Sequence, residues 1–315
     1  IPYEYIIRVK WLPDGKRVSV QTMNRAQTEV NLYFVDAAEG KPTLILTESD
    51  PMWVRENDDL YFMKNGKSFI WSSQRSGYTH LYRYDMTGKL INPITKGPWS
   101  VCLSGLRSAG GIAGLDEKNE WLYFEALEKS SIERHLYRIQ WDGKKMQRLS
   151  QENGTHNASF SPDAQYYVDN FSTFKSMPAV SLRQSDGMLV TAVAGSRQEL
   201  LAPYGLNFPE YFSIPARDSF MMPAHILKPQ NFDPNKKYPV ILYVYGGPNA
   251  PQVANSWGGT RLWFHNILLN KGYLVLQVDN RSATGISKAL ETTVYKQQAG
   301  DGELHDLVDA VHWLK

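Results

Sequence analysis

HLYRYDMTGKL, residues 80–90, is an aromatic-rich run that breaks at Thr87-Gly88-Lys89. Aromatic side chains suit a pleated surface, and the glycine marks the turn that ends the strand. Two other stretches repeat it: NLYFVD at 31–36, closed by Glu39-Gly40-Lys41, and HLYRIQ at 135–140, closed by Asp142-Gly143-Lys144. The three begin 49 and 55 residues apart. Each is preceded by another strand after its own turn: PDGKRVSVQ (13–21), NGKSFIWSS (65–73) and KNEWLYFEA (118–126). PDAQYYVDN (162–170) supplies a fourth. The repeating unit is turn, strand, short loop, strand, turn.

A period near 50 residues with short strands and Asp-Gly or Asn-Gly turns suits the blades of a β-propeller. One four-stranded sheet cannot bury both of its faces alone, whereas blades stacked radially bury each other's. About four such units fit in residues 1–200. Four is the low end for a closed propeller, so further blades upstream are expected. A generic antiparallel β-sandwich is the alternative for this part.

After about residue 200 the pattern changes. FSIPARDSFMMPAHILKP (212–229) reads as two strands around a turn at Ala216-Arg217-Asp218. PVILYVYGGP (239–248) is a continuous apolar run, the mark of a central strand buried on both faces. RLWFHNILLNK (261–271) predicts a helix, YLVLQVDNR (273–281) a second buried strand, and ELHDLVDAVHWLK (303–315) a helix. In that last helix Leu304, Leu307, Val308 and Val311 stand at helical spacing. Strand, helix, strand, helix predicts a mostly parallel sheet with right-handed crossovers.

Composition excludes several classes. Of 315 residues, 42% are hydrophobic and 21% charged, which rules out a disordered, collagen-like or coiled-coil chain. A net charge of +2 gives no reason to expect a nucleic-acid partner. The sequence has no apolar stretch long enough for a membrane-spanning helix. Cys102 is the single cysteine, so neither an internal disulfide nor a thiolate-rich metal site is available. No phosphate-cradling glycine loop is evident; no metal site and no cofactor are expected.

The order of elements carries a resemblance. Blade-like repeats, then YPVILYVYGGP, then VDNRSATG, then GELHDLVDAVHWLK resemble the prolyl oligopeptidase clan of serine peptidases. The likeness is to its dipeptidyl-peptidase IV branch, especially the bacterial prolyl tripeptidyl aminopeptidases. IPYEYIIRVKW (1–11), MNRAQTE (23–29), RSGYTHLYRYD (75–85) and SSIERHLYRI (130–139) are similar to that branch. The resemblance implies a partial β-propeller of about four blades at 1–200, followed by the N-terminal part of an α/β-hydrolase domain at 201–315. It implies a serine exopeptidase that releases di- or tripeptides from peptides with a free N-terminus, after proline, through an acyl-enzyme. An exported or periplasmic bacterial protein and a homodimeric parent are implied with it. An acylaminoacyl peptidase or oligopeptidase of the same clan is the rival enzyme. A propeller binding module with a non-catalytic hydrolase-like domain is the rival of another kind.

Such a peptidase needs a serine on a strand-to-helix elbow, Gly-x-Ser-x-Gly, with Asp and His downstream. Gly285-Ile286-Ser287 lacks the second glycine, and Ser104 and Ser108 lie in the blade region with no predicted elbow. The resemblance puts the elbow one strand beyond Lys315 and the paired glutamates that grip the substrate's ammonium before Ile1. The chain is therefore expected to be a fragment, inactive by itself.

One site residue carries over directly. Tyr245, in Val244-Tyr245-Gly246-Gly247-Pro248, matches the family tyrosine that donates its hydroxyl to the oxyanion, and Gly246 and Gly247 let the backbone turn tightly there. The residues alone leave open a strand-terminal tyrosine with its hydroxyl in water. Arg281 matches an Asp-x-Arg-Gly position, with Ser282 in place of the glycine; substrate contact and structural hydrogen bonding are both open to it. Trp53 and Arg55 stand where related peptidases offer aromatic and arginine contacts near S2, against the alternative of a blade-core tryptophan. His80 and His135 recur at equivalent repeat positions and are expected to be structural. His305 and His312 are expected on the surface of the last helix, and Asp301, Glu303 and Asp306 near its start, favouring its macrodipole.

Overall fold

The computed structural model describes residues 1, 3–56, 59–101, 111–297 and 300–315. Cys102, Ser104 and Ser108 lie outside the described residues.

Four four-stranded antiparallel sheets follow one another along the chain, each with its strands in sequential order. The first holds β1 (Tyr5–Trp11), β2 (Arg17–Met23), β3 (Glu29–Asp36) and β4 (Pro42–Ser49). The second holds β5 (Tyr61–Phe62), β6 (Ser68–Ser73), β7 (His80–Asp85) and β8 (Leu90–Pro93). The third holds β9 (Ile112–Asp116), β10 (Trp121–Ala126), β11 (His135–Gln140) and β12 (Gln147–Arg148). The fourth holds β13 (Thr155–Phe160), β14 (Tyr166–Thr173), β15 (Ser176–Gln184) and β16 (Leu189–Ala194). The repeats seen in the sequence are the two central strands of each sheet, whose glycine turns take positive φ at Gly40, Gly88 and Gly143.

Each sheet buries its faces on its neighbours. Every residue of β6 is buried. Its alternate side chains go opposite ways: Phe69 and Trp71 join Leu32 and Phe34 of the first sheet, and Ile70 joins Leu122 and Phe124 of the third. Tyr123 and Leu136 of the third sheet pack on Tyr167 of the fourth. Period-two alternation thus makes the second and third sheets each the filling between two others. The outward faces at the two ends are bare among the described residues: Val9 and Trp11 are 62% and 60% exposed, and all of β16 is exposed.

The recurring histidines act as bolts within the blades. His80 Nδ1 lies 3.0 Å from Thr95 Oγ1, and His135 Nδ1 lies 3.0 Å from Ser150 Oγ. The same two hydroxyls accept the backbone N–H of Leu81 and Leu136. Both imidazoles are buried, and burial lowers their pKa, which keeps them neutral.

The fifth sheet differs. It contains β17 (Glu210–Pro215), β18 (Met221–Leu227), β19 (Val240–Tyr243) and β20 (Leu274–Val278) in the order β17-β18-β20-β19. Two helices lie against it: α1 (Gly259–Asn270) and, after the short α2 (Lys288–Glu291), α3 (Asp301–Leu314). The expected mostly parallel sheet is corrected to a mixed one. Only β19 and β20, joined by the α1 crossover, run parallel. β17 and β18 are a hairpin, so they can only be antiparallel, and β18 meets β20 antiparallel. The central buried strand is β20, not the 239–248 run. β19 ends the sheet among the described residues, with Val240 and Ile241 37% and 36% exposed.

Alternation along β18 and β20 gives the sheet two different faces. Met222, Ala224, Leu276 and Val278 meet Leu307 and Ala310 of α3. Leu227 and Val275 meet Leu262 and Leu269 of α1. The inward face of α3 includes Leu307, as its helical spacing predicted, but not Leu304. Leu304 is 55% exposed, whereas Glu303 and Asp306 are buried. Asp306 is drawn inside by an arginine, described below, which outweighs the apolar pattern.

Candidate active site

The loop after β19 turns at Gly246, whose φ of +83° favours glycine. Its carbonyl accepts Asn280 Nδ2 at 3.3 Å. Tyr245 is left 65% exposed, its hydroxyl without a partner among the described residues, on the rim of an open depression of about 460 Å³. Glu303, Leu304 and Leu307 of α3 form the opposite wall. Gly247 lies against the tyrosine ring: a Cβ there would come within 2.9 Å of Tyr245 Cε1.

The loop is tied down at Asn249, which takes the left-handed φ of +49°. Its N–H donates to Ser282 O at 2.7 Å. Its side-chain oxygen, oriented by the donors that face it, accepts both terminal N–H groups of Arg55 at 2.5 and 2.7 Å. Ser282 fits where the resemblance led one to expect glycine, because it is wholly buried and its hydroxyl accepts Asn280 Nδ2 at 2.8 Å. Further along, the Asp279 carboxylate accepts the N–H groups of Gln252 and Val253. Burial pushes its pKa up to about 6 against the pull of those N–H groups.

Trp53 is half-buried at the junction between the second sheet and the segment around α2, rather than in a blade core. Its indole N–H donates to Glu291 at 3.2 Å, and Gln74 donates to the other oxygen at 3.0 Å. Lys288 donates to the Trp53 carbonyl and places its ammonium 4.6 Å from the ring centroid. Lys288 N–H reaches Gly77 O at 2.8 Å, and Ser100 donates to Ile286 O at 2.8 Å. Trp53 and Arg55 also line a cavity of about 510 Å³ with Tyr5, Arg8, Met23 and Glu56.

Arg281 is engaged on every side. Its guanidinium bonds Asp306 at 2.7 Å and Asp218 at 2.6 Å, and its backbone N–H donates to Asp306 at 2.8 Å. The bonded guanidinium holds Asp218 down at about 2 and raises the arginine's own pKa. Asp306 is therefore a buried counter-ion rather than a helix-start charge, and it explains why α3 turns that face inward.

The structure thus brings Arg55 to the Tyr245 loop and Trp53 to the α2 segment, and turns Arg281 to two carboxylates. Ser287 caps α2 by accepting Leu290 N–H at 3.3 Å. His305 and His312 are exposed. Asn249, Asn280, Lys288 and Glu291 were not singled out from the sequence. Only Asn249 carried a local signal, as an asparagine after Gly-Gly-Pro in a turn. Among the described residues no three His, Cys, Asp or Glu side chains gather as metal ligands. No helix there is long and apolar enough to cross a membrane.

Comparison with known proteins agrees with this architecture. Dipeptidyl peptidase 8 of Mus musculus is 25% identical, over 99% of this chain and 41% of that protein. Dipeptidyl peptidase 4 of Trichophyton rubrum is 28% identical, over 92% of this chain and 38% of that protein. The crystal structure of Porphyromonas gingivalis dipeptidyl peptidase 4 superposes with a TM-score of 0.88 at 29% identity, covering 98% of this chain and 42% of that one. The chain spans about two fifths of the length of the curated relatives it matches. The four antiparallel sheets match the N-terminal propeller fold of that enzyme. Residues 2–178, more than half of the chain, match the family model "Dipeptidyl peptidase IV (DPP IV) N-terminal region". The chain belongs to that family, and through it to the dipeptidyl peptidase IV branch of the prolyl oligopeptidase clan.

Proposed function

We propose that the protein carrying these residues is a serine exopeptidase of the dipeptidyl-peptidase IV type, cleaving peptides with a free N-terminus after proline. In this reading residues 1–200 are C-terminal propeller blades and residues 201–315 the first half of an α/β-hydrolase domain. The parallel β19–α1–β20 unit supports the second assignment. The relatives' names favour dipeptides over tripeptides as the released product. The likeness to the Porphyromonas gingivalis enzyme supports an exported or periplasmic setting.

The observation that carries the reading is Tyr245. An exposed hydroxyl, unpaired among the described residues, beside a glycine turn on a loop held by Arg55 through Asn249, is a preorganised donor for a tetrahedral oxyanion. Trp53 and Arg55 would flank the substrate from the propeller side, while Arg281 would hold its own loop through Asp218 and Asp306.

The test uses the protein in its native reading frame and a chromogenic Xaa-Pro substrate. Tyr245→Phe is expected to lower kcat by roughly 10²–10³ with little change in KM, the loss typical of one oxyanion donor. An unchanged kcat overturns the assignment of Tyr245, and absence of proline-dependent hydrolysis in the parent overturns the reading. The 315 residues alone are expected to turn over no substrate.

A further inference from the structure

We propose that the buried imidazole of His156 is a pH-sensitive lock: protonated, it fastens the third and fourth sheets to the segment that runs into α1, and its deprotonation loosens that seam.

The seam meets at one side chain. Asn255, buried on the 250–257 segment before α1, spends each of its polar groups on the blades. Its N–H donates to Ile132 O at 2.7 Å, and its carbonyl accepts Thr155 Oγ1 at 3.0 Å. Its Oδ1 accepts Phe174 N–H at 3.2 Å, and its Nδ2 donates to Glu133 Oε1 at 2.7 Å. The blade side of this contact is stitched in turn. Arg134 N–H donates to Gly154 O at 3.2 Å and His156 N–H to Arg134 O at 3.0 Å, which sets Thr155 beside Asn255.

The ring of His156 anchors that stitch. The residue is 1% exposed, and its ring stacks on Phe171 with centroids 4.6 Å apart. Nε2 lies 3.0 Å from Glu152 O, and Nδ1 lies 3.0 Å from Asp169 Oδ2, on a carboxylate that Arg183 also faces. A carbonyl only accepts, and so does a carboxylate, so the ring that satisfies both is the imidazolium. A neutral ring has one N–H and turns a lone pair on one of the two acceptors. His135, with its ring centroid 5.6 Å away, is arranged the other way. Its Nε2 faces Glu133 Oε2 at 3.1 Å, while its Nδ1 faces Ser150 Oγ, a hydroxyl that can donate. The neutral ring fits there. The pair therefore carries one positive charge, and Glu133 links it to Asn255.

The surrounding charges agree. Asp169 and Glu152 face His156, and Arg183 stands 3.7 and 3.6 Å from their carboxylates. Glu133 and Arg148 face His135, and buried Glu125 of β10 accepts Ala158 N–H on β13. Asp279 holds Gln252 and Val253 on the seam segment itself and titrates near 6. Burial pulls the His156 pKa down, but the Asp169 hydrogen bond and charge outweigh it and raise the pKa above 6.5. Burial lowers that of His135, and the His156 charge lowers it further. The stability that His156 supplies is complete below pH 6.5 and lost as pH rises through its raised pKa. That of His135 is present above 6.5 and lost on acidification, so the seam is tightest where one ring of the pair is charged, and alkali opens it from the His156 side.

The test uses the protein in its native reading frame. Deuterium exchange at imidazole Cε1, read by mass spectrometry, gives the pKa of individual histidines. Backbone exchange, corrected for its intrinsic pH dependence, reports on residues 250–257. The expected result is a midpoint above 6.5 for His156 and below it for His135. Protection of 250–257 is expected to fall roughly tenfold as pH rises through the His156 midpoint, the loss of about one buried hydrogen bond. His156→Gln, which cannot carry the charge, is expected to lack that step. The proposal is overturned by a His156 midpoint at or below 6.5, by constant protection of 250–257 through that midpoint, or by an equal step in His156→Gln. A step abolished by Asp279→Asn would belong to that carboxylate and overturns it too. Should His156→Gln not fold, Asp169→Asn takes its place: the step is expected to move to lower pH, and an unmoved step overturns the proposal.

Discussion

Arg55, on the loop that opens the second sheet, gives both terminal guanidinium N–H groups to the side-chain oxygen of Asn249, on the loop that follows β19. The bond ties a propeller loop to the segment carrying Tyr245. Because Asn249 also holds a left-handed backbone and donates to Ser282, it cannot swing away from the arginine without losing other contacts.

The coupling is open to a double-mutant cycle. Asn249→Ala removes the acceptor and sets alanine at φ +49°, while Arg55→Met removes the donors. Each single change is expected to cost about 1–2 kcal/mol, and the pair to couple by about 1 kcal/mol. Urea unfolding of the four proteins measures this; strictly additive losses would show that the contact contributes nothing.

Arg281 is expected to matter far more to stability. Arg281→Met leaves Asp306 buried without its counter-ion, a loss of about 3–5 kcal/mol. Removing both charges, with Asp306→Leu added, is expected to recover most of it, since a well-packed apolar pair replaces a desolvated one. Thermal melting distinguishes these cases. A single variant as stable as the parent would mean that Asp306 finds another partner.

Asp279 predicts a pH dependence of the opposite sign to an ordinary ion-paired carboxylate. Its folded pKa is raised to about 6 from 3.8, so the folded state holds the proton more tightly than the unfolded. The stability it supports is complete below pH 3.8 and is lost as pH rises through about 6, by about 3 kcal/mol in all. Asp279→Asn, which can still accept from Gln252 and Val253, should lack that decline. Melting temperatures of parent and variant should converge near pH 4 and separate by pH 8, with the variant higher. Parallel curves across that range would refute the assignment.

The blades were legible in the sequence because their physics is local. A glycine in positive φ and an alternating strand recur within one repeat, and His80 and His135 announced themselves by recurring. The fifth sheet was legible in its elements but not in its pairing. Nothing within 212–229 or 239–248 states which strand will be the neighbour, and the expectation of a mostly parallel sheet failed because the 212–229 hairpin joins it, with β18 antiparallel to β20. The acidic part of the inward face of α3 was hidden for a related reason. Helical spacing counts apolar residues, and Asp306 is buried by an arginine 25 positions away. Tyr245 was found by resemblance, whereas its clamp was not, since Arg55 and Asn249 are joined only by the packing of two separate loops.

Gly247 offers the sharpest test of the Tyr245 assignment, because it separates geometry from folding. Its backbone is not in the left-handed region, so alanine adds no strain of its own. The added methyl would meet only the tyrosine ring, at 2.9 Å from Cε1, and that ring is mostly exposed and free to move. Gly247→Ala should therefore melt like the parent, within about 0.5 kcal/mol, while displacing the hydroxyl from its position. In the native reading frame, kcat against an Xaa-Pro substrate should fall about 10-fold or more, because an oxyanion donor works only within hydrogen-bond reach of the developing charge. Adding Gly247→Ala to Tyr245→Phe should then cost little further, since the group it displaces is already gone. A full additional loss in the double variant would show that Gly247 acts on the substrate by another route.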